Sequence, residues 1–307
     1  MNLLVGATGF VGGHVVEYLF QQGEISKGVF RKGSHLKIMD TNGVQGIEAD
    51  LLDHHSLHEA TEGVDVIYNM ASPVPGEDTE FLKVNTEGLL NLLEVATEAK
   101  VKGFVHLSTL DVFGFKTRSI EPSTLPSPSN EYQRAKAEAE RLLEEFSKRN
   151  AEPRITIVRA AKAVGPREES FVIPVLAMAE KGKVTVPGGG QMSFTHPKDI
   201  GQAMYKAAIA TLPSGSMFNI KSFEASPEEL ARGIVGAAEK QVEVSRQGIL
   251  SDSALPKYTK EQLKACLRLG EQANWGELGY APQFDLKSTC EDIANWYKKS
   301  PWVTESA

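Results

Sequence analysis

The chain has 307 residues, a net charge of −7 and a pI near 5.6, so a broad phosphate-neutralising surface for nucleic acid is not expected. Apolar residues make up 41% and charged residues 24%, which suits a packed globular protein and excludes disorder as its main state. Cys266 and Cys290 are too few for a disulfide scaffold, no apolar run of about 18 residues offers a membrane span, and Met1–Val5 lacks a signal-peptide pattern, so a cytoplasmic protein with free thiols is expected.

In chain order, residues 3–5 read as a strand, followed by a glycine turn and a helix over 11–21. Further strands are expected at 29–30, 44–49 and 64–69. Residues 80–99 carry Phe81, Val84, Leu89, Leu92, Leu93 and Ala96 at helical spacing. A strand at 104–107, a helix at 132–148 and a strand at 155–159 complete an alternation that argues for a parallel sheet covered on both faces. The stretch 119–130, with Pro122, Pro126 and Pro128, reads as a loop over a site. Beyond it, strands are expected at 184–187 and 217–220. Helices are expected at 197–210, 227–239, 259–269 and 286–299. Ser226 followed by Pro227 and Glu229 is a helix-start signature. The expected fold is α/β: a doubly wound Rossmann sheet with a smaller, discontinuous C-terminal substrate lobe.

Gly6-Ala7-Thr8-Gly9-Phe10-Val11-Gly12 stands between a strand and a helix, the context in which such spacing points to a dinucleotide. The first glycine permits a tight turn, the second lets the backbone approach a pyrophosphate, and the third lets helix and strand pack closely. The second strand ends Val29-Phe30-Arg31-Lys32-Gly33-Ser34, without the acidic residue that holds a ribose 2′-hydroxyl in NAD sites. Arg31, with Lys32 or Ser34 beside it, suits a 2′-phosphate, so NADP is expected, with NAD as the alternative. After the third strand, Asp50 suits the adenine amino group and Leu51 the ring face. His54 and His58 lie one helical turn apart, but no third ligand has motif spacing and Ser56–Glu59 reads as a capping box. No metal is expected.

Tyr132-Gln133-Arg134-Ala135-Lys136 places a phenol and an amine on one helix face, preceded in sequence by Ser108-Thr109. An ammonium beside a phenol favours the phenolate, so Tyr132 is expected to exchange a proton while Thr109 holds a substrate oxygen.

Together these residues resemble the extended short-chain dehydrogenase/reductase family, along nearly the whole chain. The segments Asn69-Met70-Ala71-Ser72, Val84–Gly88, Leu107–Gly114, Arg159–Pro166 and Phe194–Asp199 also correspond. The resemblance implies Thr109, Tyr132 and Lys136 as catalytic, with Ser108 and Asp111 beside them. It implies a cofactor held by Gly6, Thr8, Gly9, Phe10, Val11, Gly12, Arg31, Lys32, Asp50, Leu51, Met70, Ala71 and Ser72, with Tyr132, Lys136 and Ala160 near nicotinamide. Lys162 and Met192 stand where nucleotide-sugar members tend to carry Asn and Arg. The chain therefore looks more like the dihydroflavonol-reductase and hydroxysteroid-dehydrogenase-like branch. Asp111 pulls the other way, since sugar-nucleotide dehydratases carry a catalytic carboxylate there; its bland alternative is a solvated or capping role. The expected function is an NADP-dependent oxidoreductase interconverting a carbonyl and a secondary alcohol on a small or medium substrate, without nucleic-acid or membrane partners. The alternative is a nucleotide-sugar epimerase or dehydratase. A non-catalytic NADP sensor is less consistent with an intact Thr109, Tyr132 and Lys136. Residues 1–166, with 191–222 returning, are expected to bind the dinucleotide, and 167–190 with 223–307 the substrate. Substrate-side loops are expected at 74–79, 115–130, 168–186 and 247–279. The resemblance also allows a homodimer through helices 80–99 and 132–148.

Overall fold

The structure is a computed structural model that describes residues 1–73, 81–247, 254–270 and 274–299. The expected loop 74–79, the first residue of the expected helix 80–99 and parts of the expected loop 247–279 lie outside the described residues.

The first half alternates as β1 (Asn2–Val5), α1 (Phe10–Gln21), β2 (Ser26–Phe30), α2 (Lys37–Thr41), β3 (Gln45–Glu48), α3 (His54–Thr61), β4 (Val66–Asn69), α4 (Phe81–Glu98) and β5 (Gly103–Thr109). A 3-10 turn (Leu110–Phe113), β6 (Ser119–Ile120), α5 (Glu131–Arg149), β7 (Arg154–Ala160) and β8 (Lys162–Ala163) follow. The rest is α6 (Val172–Glu180), β9 (Lys183–Val186), β10 (Met192–Thr195), α7 (Pro197–Ile209), β11 (Ser216–Ile220), β12 (Phe223–Ala225), α8 (Pro227–Ala237), β13 (Glu243–Arg246), α9 (Lys257–Ala265), β14 (Arg268–Leu269), a 3-10 turn (Asn274–Leu278) and α10 (Leu286–Lys299).

Seven strands form one parallel sheet in the order β11-β7-β5-β4-β1-β2-β3. Its central strands are apolar without alternation, as burial on both faces requires. Leu89, Leu92 and Leu143 cover one face from α4 and α5; Val15, Met39 and Met204 cover the other from α1, α2 and α7. The order reverses between β1 and β4, so a crevice opens at their carboxyl ends, where open α/β sheets bind ligands. A separate core gathers Phe171, Val175, Phe194, Leu230 and Ile293 around α6, α8 and α10. Here β10 pairs with β8 and β12 rather than with the large sheet. Asp199 in the first turn of α7 accepts from Ser222 Oγ (2.5 Å), Gln283 N (2.9 Å) and Phe284 N (3.2 Å), which ties the C-terminal segment back to the sheet.

Three expectations change. The stretch 168–186 contains α6, whose uniformly apolar sequence shows no two-faced period. The expected helix 259–269 stops at Ala265 because Cys266 is left-handed (φ 51°), and Arg268–Leu269 then pairs with β6. Asp53, not Ser56, caps α3, with Oδ1 accepting from His55 N at 3.2 Å. The capping box at Ser226 and Glu229 is present as expected.

A Cβ on Gly12 would lie 1.9 Å from Gly6 O, whereas one on Gly236 would meet nothing within 4 Å. Gly12→Ala should therefore lower stability by at least about 1–3 kcal/mol, while Gly236→Ala should be neutral or raise it by about 0.5–1 kcal/mol. Urea denaturation of both variants checks the contrast.

Candidate active site

The crevice begins where β1 ends. Gly6 turns the chain with φ +89°, and a side chain there would press on the backbone of Met70 and Ala71. Gly9 caps α1 without a side chain, and no acidic residue occupies the first turn of α1. The leading N–H groups and the positive end of the helix are thus left for an anion. A Cβ on Gly9 would meet only Gly6 O, at 3.5 Å, so its other side is open to a close backbone approach. This cradle, built by Gly6, Thr8, Gly9, Phe10, Val11 and Gly12, fits a pyrophosphate.

Arg31 and Lys32 stand exposed just past β2 and make no ion pair among the described residues. The backbone turns at once, with Ser34 N donating to Arg31 O at 3.0 Å. Asp50 is exposed, and its Oδ1 accepts from Leu52 N at 2.9 Å. Leu51 is only 9% exposed and lies against Gly88 of α4, so it offers an adenine little of the face the sequence suggested. Met70, Ala71 and Ser72 form the turn beyond β4, and Ala71 N donates to Asn69 Oδ1 at 3.2 Å. His54 lies near Glu94 and Glu98, and all three are at least partly open to solvent.

The residues expected to handle the proton lie at the end of β5 and on α5. Thr109 ends β5, and its Oγ1 accepts from Asp111 N at 3.1 Å, which leaves the hydroxyl proton free to donate. In register with it across the sheet is Ala160. Ser108 corrects an expectation: its hydroxyl donates to buried Glu140, which also takes Arg159 through Nε (2.8 Å) and Nη2 (2.7 Å). It is committed to that network and is not a free hydroxyl beside Thr109. Asn130 caps α5 by accepting from Gln133 N at 2.9 Å, and this sets Tyr132 and Lys136 one turn apart on the face toward β5.

Lys136 is 3% exposed; its Nζ donates to Leu107 O at 2.8 Å and lies 3.2 Å from His106 Nε2. Burial pushes its pKa down to about 8, with the Glu140 carboxylate opposing. The Tyr132 phenol is pushed above its ordinary value, first by burial and then by the Asp111 charge. The expected depression of Tyr132 by Lys136 is therefore not found, because desolvation outweighs it and the neighbouring charge is negative. Asp111 is 4% exposed, neither solvated nor a simple cap. Its Oδ2 accepts from Tyr258 Oη and Gln262 Nε2, both at 2.7 Å, while burial raises its pKa.

Sequence reasoning missed Tyr258 and His106. The Tyr258 ring meets Tyr132 (5.5 Å) and Phe115 (5.5 Å), and Phe81 also meets Tyr132 (5.8 Å). Lys162 Nζ donates to Ser170 Oγ at 3.2 Å and lies 3.8 Å from Glu168. Met192 is buried in the separate core.

A model of the NAD dependent epimerase/dehydratase family matches residues 2–220. The chain is 32% identical over 172 residues to sterol demethylase protein B of Methylococcus capsulatus, covering 54% of this chain and 52% of that protein. It is 23% identical over 320 residues to human dTDP-D-glucose 4,6-dehydratase, covering 97% and 90% of the two chains. The crystal structure of UDP-glucose 4-epimerase from Bifidobacterium longum in complex with NAD+ and UDP superposes with a TM-score of 0.81 at 19% identity, over 98% and 99% of the chains. The chain belongs to the NAD-dependent epimerase/dehydratase family, an enzyme family of the extended short-chain dehydrogenase/reductase type.

With Lys136 moved from 10.5 to about 8, the unfolded chain holds more protons between those values, so this residue makes stability rise with pH across that window. Below it the cost of burying the ammonium is at its full value. Lys136→Met should thus be more stable than the parent at pH 7, by up to about 3 kcal/mol. The difference should fade as pH approaches about 10.4. Chemical denaturation at several pH values reads this directly.

Proposed function

Taking family membership as the premise, we propose that the chain is an NADP-preferring oxidoreductase. It interconverts a carbonyl and a secondary alcohol on a small or medium apolar substrate, as in the dihydroflavonol-reductase and hydroxysteroid-dehydrogenase-like branch. The observation that carries this reading is the lining around Tyr132. Phe81, Phe115 and Tyr258 supply aromatic faces. Lys162 is engaged by Ser170 and Glu168, and Met192 is sunk in a core. A sugar diphosphate would find no cation at position 192, and at position 162 only an ammonium already held by Ser170 and Glu168.

NADPH, when bound, supplies hydride. The cradle from Gly6 to Gly12 would hold its pyrophosphate, Arg31 and Lys32 its 2′-phosphate, and Asp50 and the turn Met70-Ala71-Ser72 its adenosine and flanking groups, with Leu51 backing the site from beneath. Lys136 and Ala160 would lie along the nicotinamide ribose. Thr109 would donate to the substrate oxygen, and Tyr132 would give that oxygen its proton. A phenol kept protonated by burial is the form that carbonyl reduction needs. In this reading residues 1–166 and 191–222 serve the cofactor, and 167–190 with 223–307 shape the substrate side. Leu82 and Leu90, exposed on α4, support a homodimer through α4 and α5.

One observation favours the second reading, a nucleotide-sugar epimerase or dehydratase: Asp111 is a buried carboxyl close enough to Tyr132 to act on its charge. Incubation with carbonyl compounds separates the two, because only the first consumes NADPH in proportion to product. Micromolar binding of a UDP- or dTDP-sugar in calorimetry, without net NADPH loss, would establish the second.

Tyr132→Phe should lower kcat by about 10²–10⁴-fold while leaving NADPH affinity nearly unchanged. More than about a tenth of the activity remaining would remove Tyr132 from the proton transfer. Arg31→Asp should reverse the cofactor preference, weakening NADPH by roughly 10- to 100-fold, since a hydrogen bond to a charged group contributes about 1.5–3 kcal/mol. Equal affinities of the unaltered protein for NADPH and NADH would overturn the role of Arg31.

A further inference from the structure

The proton-transfer scheme leaves the buried His106 without a task. His106 is 1% exposed, at the centre of the sheet, with a polar atom against each ring nitrogen. Asn69 Nδ2 lies 3.2 Å from Nδ1, and Lys136 Nζ lies 3.2 Å from Nε2. Burial is the largest cause that holds its pKa well below the ordinary histidine range, and it is enough to keep the ring neutral. A neutral imidazole has one N–H and one lone pair, so one neighbour must donate and the other must accept.

The backbone decides which. Ala71 N donates to Asn69 Oδ1 at 3.2 Å, and this fixes the amide with its NH₂ toward the ring. Asn69 therefore donates to Nδ1, and Nε2 carries the hydrogen. That N–H points at Lys136 Nζ, which can accept it only through the lone pair of an uncharged amine. The remaining amine hydrogens have Leu107 O at 2.8 Å as an acceptor. An ammonium in the same place would set donor against donor, unless Asn69 flipped and gave up Ala71.

We propose that Asn69 and His106 are positioning residues that favour the neutral amine of Lys136, through a one-way chain of hydrogen bonds running from the cofactor turn at Ala71 to Nζ. The other groups around Lys136 leave the chain in control. Glu140 on its own helix favours the ammonium, but both its oxygens are taken by Ser108 and Arg159. Tyr132, one turn away, is held protonated, and the Asp111 charge near it is engaged by Tyr258 and Gln262. The chain also joins two sites, because Ala71 belongs to the turn packed against Gly6. A cofactor that shifts this turn would change the proton affinity of Lys136 from across the sheet.

The inference deepens the functional reading above through the same lysine, and its test has a readout that needs no turnover. Asn69→Asp keeps the acceptor for Ala71 but places a carboxylate oxygen toward Nδ1. The imidazole hydrogen should move to Nδ1, Nε2 should become an acceptor, and Lys136 should become an ammonium. In isotope-labelled lysine NMR, the Lys136 midpoint should rise by more than one unit, over tenfold in its protonation equilibrium. The added charge contributes part of this, so the same substitution is measured in the His106→Phe background, where no ring can relay it. There the rise should be smaller by at least about half a unit, or threefold. Equal rises in the two backgrounds would overturn the proposal, as would a Lys136 midpoint above about 9 in the unaltered protein. Should Asn69→Asp fail to fold, that last measurement still decides. If Lys136 behaves as proposed but no carbonyl compound is reduced, the functional reading fails and the hydrogen-bond chain stands. If carbonyls are reduced while Lys136 titrates as an ordinary lysine, the reverse holds.

Discussion

Glu140 holds the catalytic half of the molecule in register. Its carboxylate sits one turn beyond Lys136 on α5, only 5% exposed, and takes both a hydroxyl from β5 and a guanidinium from β7. Arg159 in turn lies 5.0 Å from the centre of the Phe113 ring, so the 3-10 turn after Thr109 leans on the same group. A buried pair of this kind adds little net stability, because desolvating two charges offsets most of their attraction. Its value is positional. Removing either partner would leave a buried charge alone, at a cost of about 3–5 kcal/mol, so alternatives in which α5 slides or rotates over β5 are strongly disfavoured. Tyr132 and Lys136 are set over β5 because this pin leaves α5 one way to lie.

Burial then sets the protonation states, more than pairwise charge does. Tyr132 goes up, Lys136 goes down and Asp111 goes up, each with desolvation as the largest cause. All three shifts favour the uncharged form. A site in that condition is poised to donate a proton from the phenol and to hold cofactor hydroxyls with an amine. It is poorly suited to keeping a standing phenolate. The familiar picture of a lysine charge lowering a tyrosine pKa needs that charge to outweigh desolvation, and for Tyr132 burial and then the Asp111 charge act the other way.

Much of this was legible in the sequence, and the parts that were not share a cause. The glycine turn, Arg31 and the Tyr132–Lys136 pair are local: each depends on spacing within one turn or one helix. The seven-stranded sheet was legible because strands and helices alternate along the chain, as a parallel sheet covered on both faces requires. Ser108 was misassigned because neighbouring strand residues point to opposite faces, and sequence adjacency to Thr109 says nothing about facing the same side. Tyr258 lies 147 residues from the carboxylate it binds, and no periodicity in α9 marks it. His106 was in plain view within the strand, but its meaning comes from Asn69, 37 residues earlier and on another strand. Local chemistry is written locally; long-range partners are chosen by topology.

Asp111 shows why that distinction matters for function. Its position in the chain matches a proton-abstracting carboxylate in sugar-nucleotide dehydratases, yet a base must have a lone pair free toward substrate. Here Oδ2 is occupied by two neutral donors from α9, and each hydrogen bond to a charged acceptor contributes about 1.5–3 kcal/mol. Freeing that oxygen would mean breaking both, swinging Tyr258 off the Tyr132 ring and opening the contact with Phe115. The same interactions make Asp111 an effective joint between the sheet and α9. They hold an aromatic wall against the phenol from a helix that the sheet itself does not fix. As a joint Asp111 uses Oδ2 as it stands, and to serve as a base through that oxygen it would first have to release the aromatic wall beside Tyr132. The proposed reduction of an apolar carbonyl therefore asks nothing more of Asp111 than this joint, with Tyr132 as the proposed proton donor.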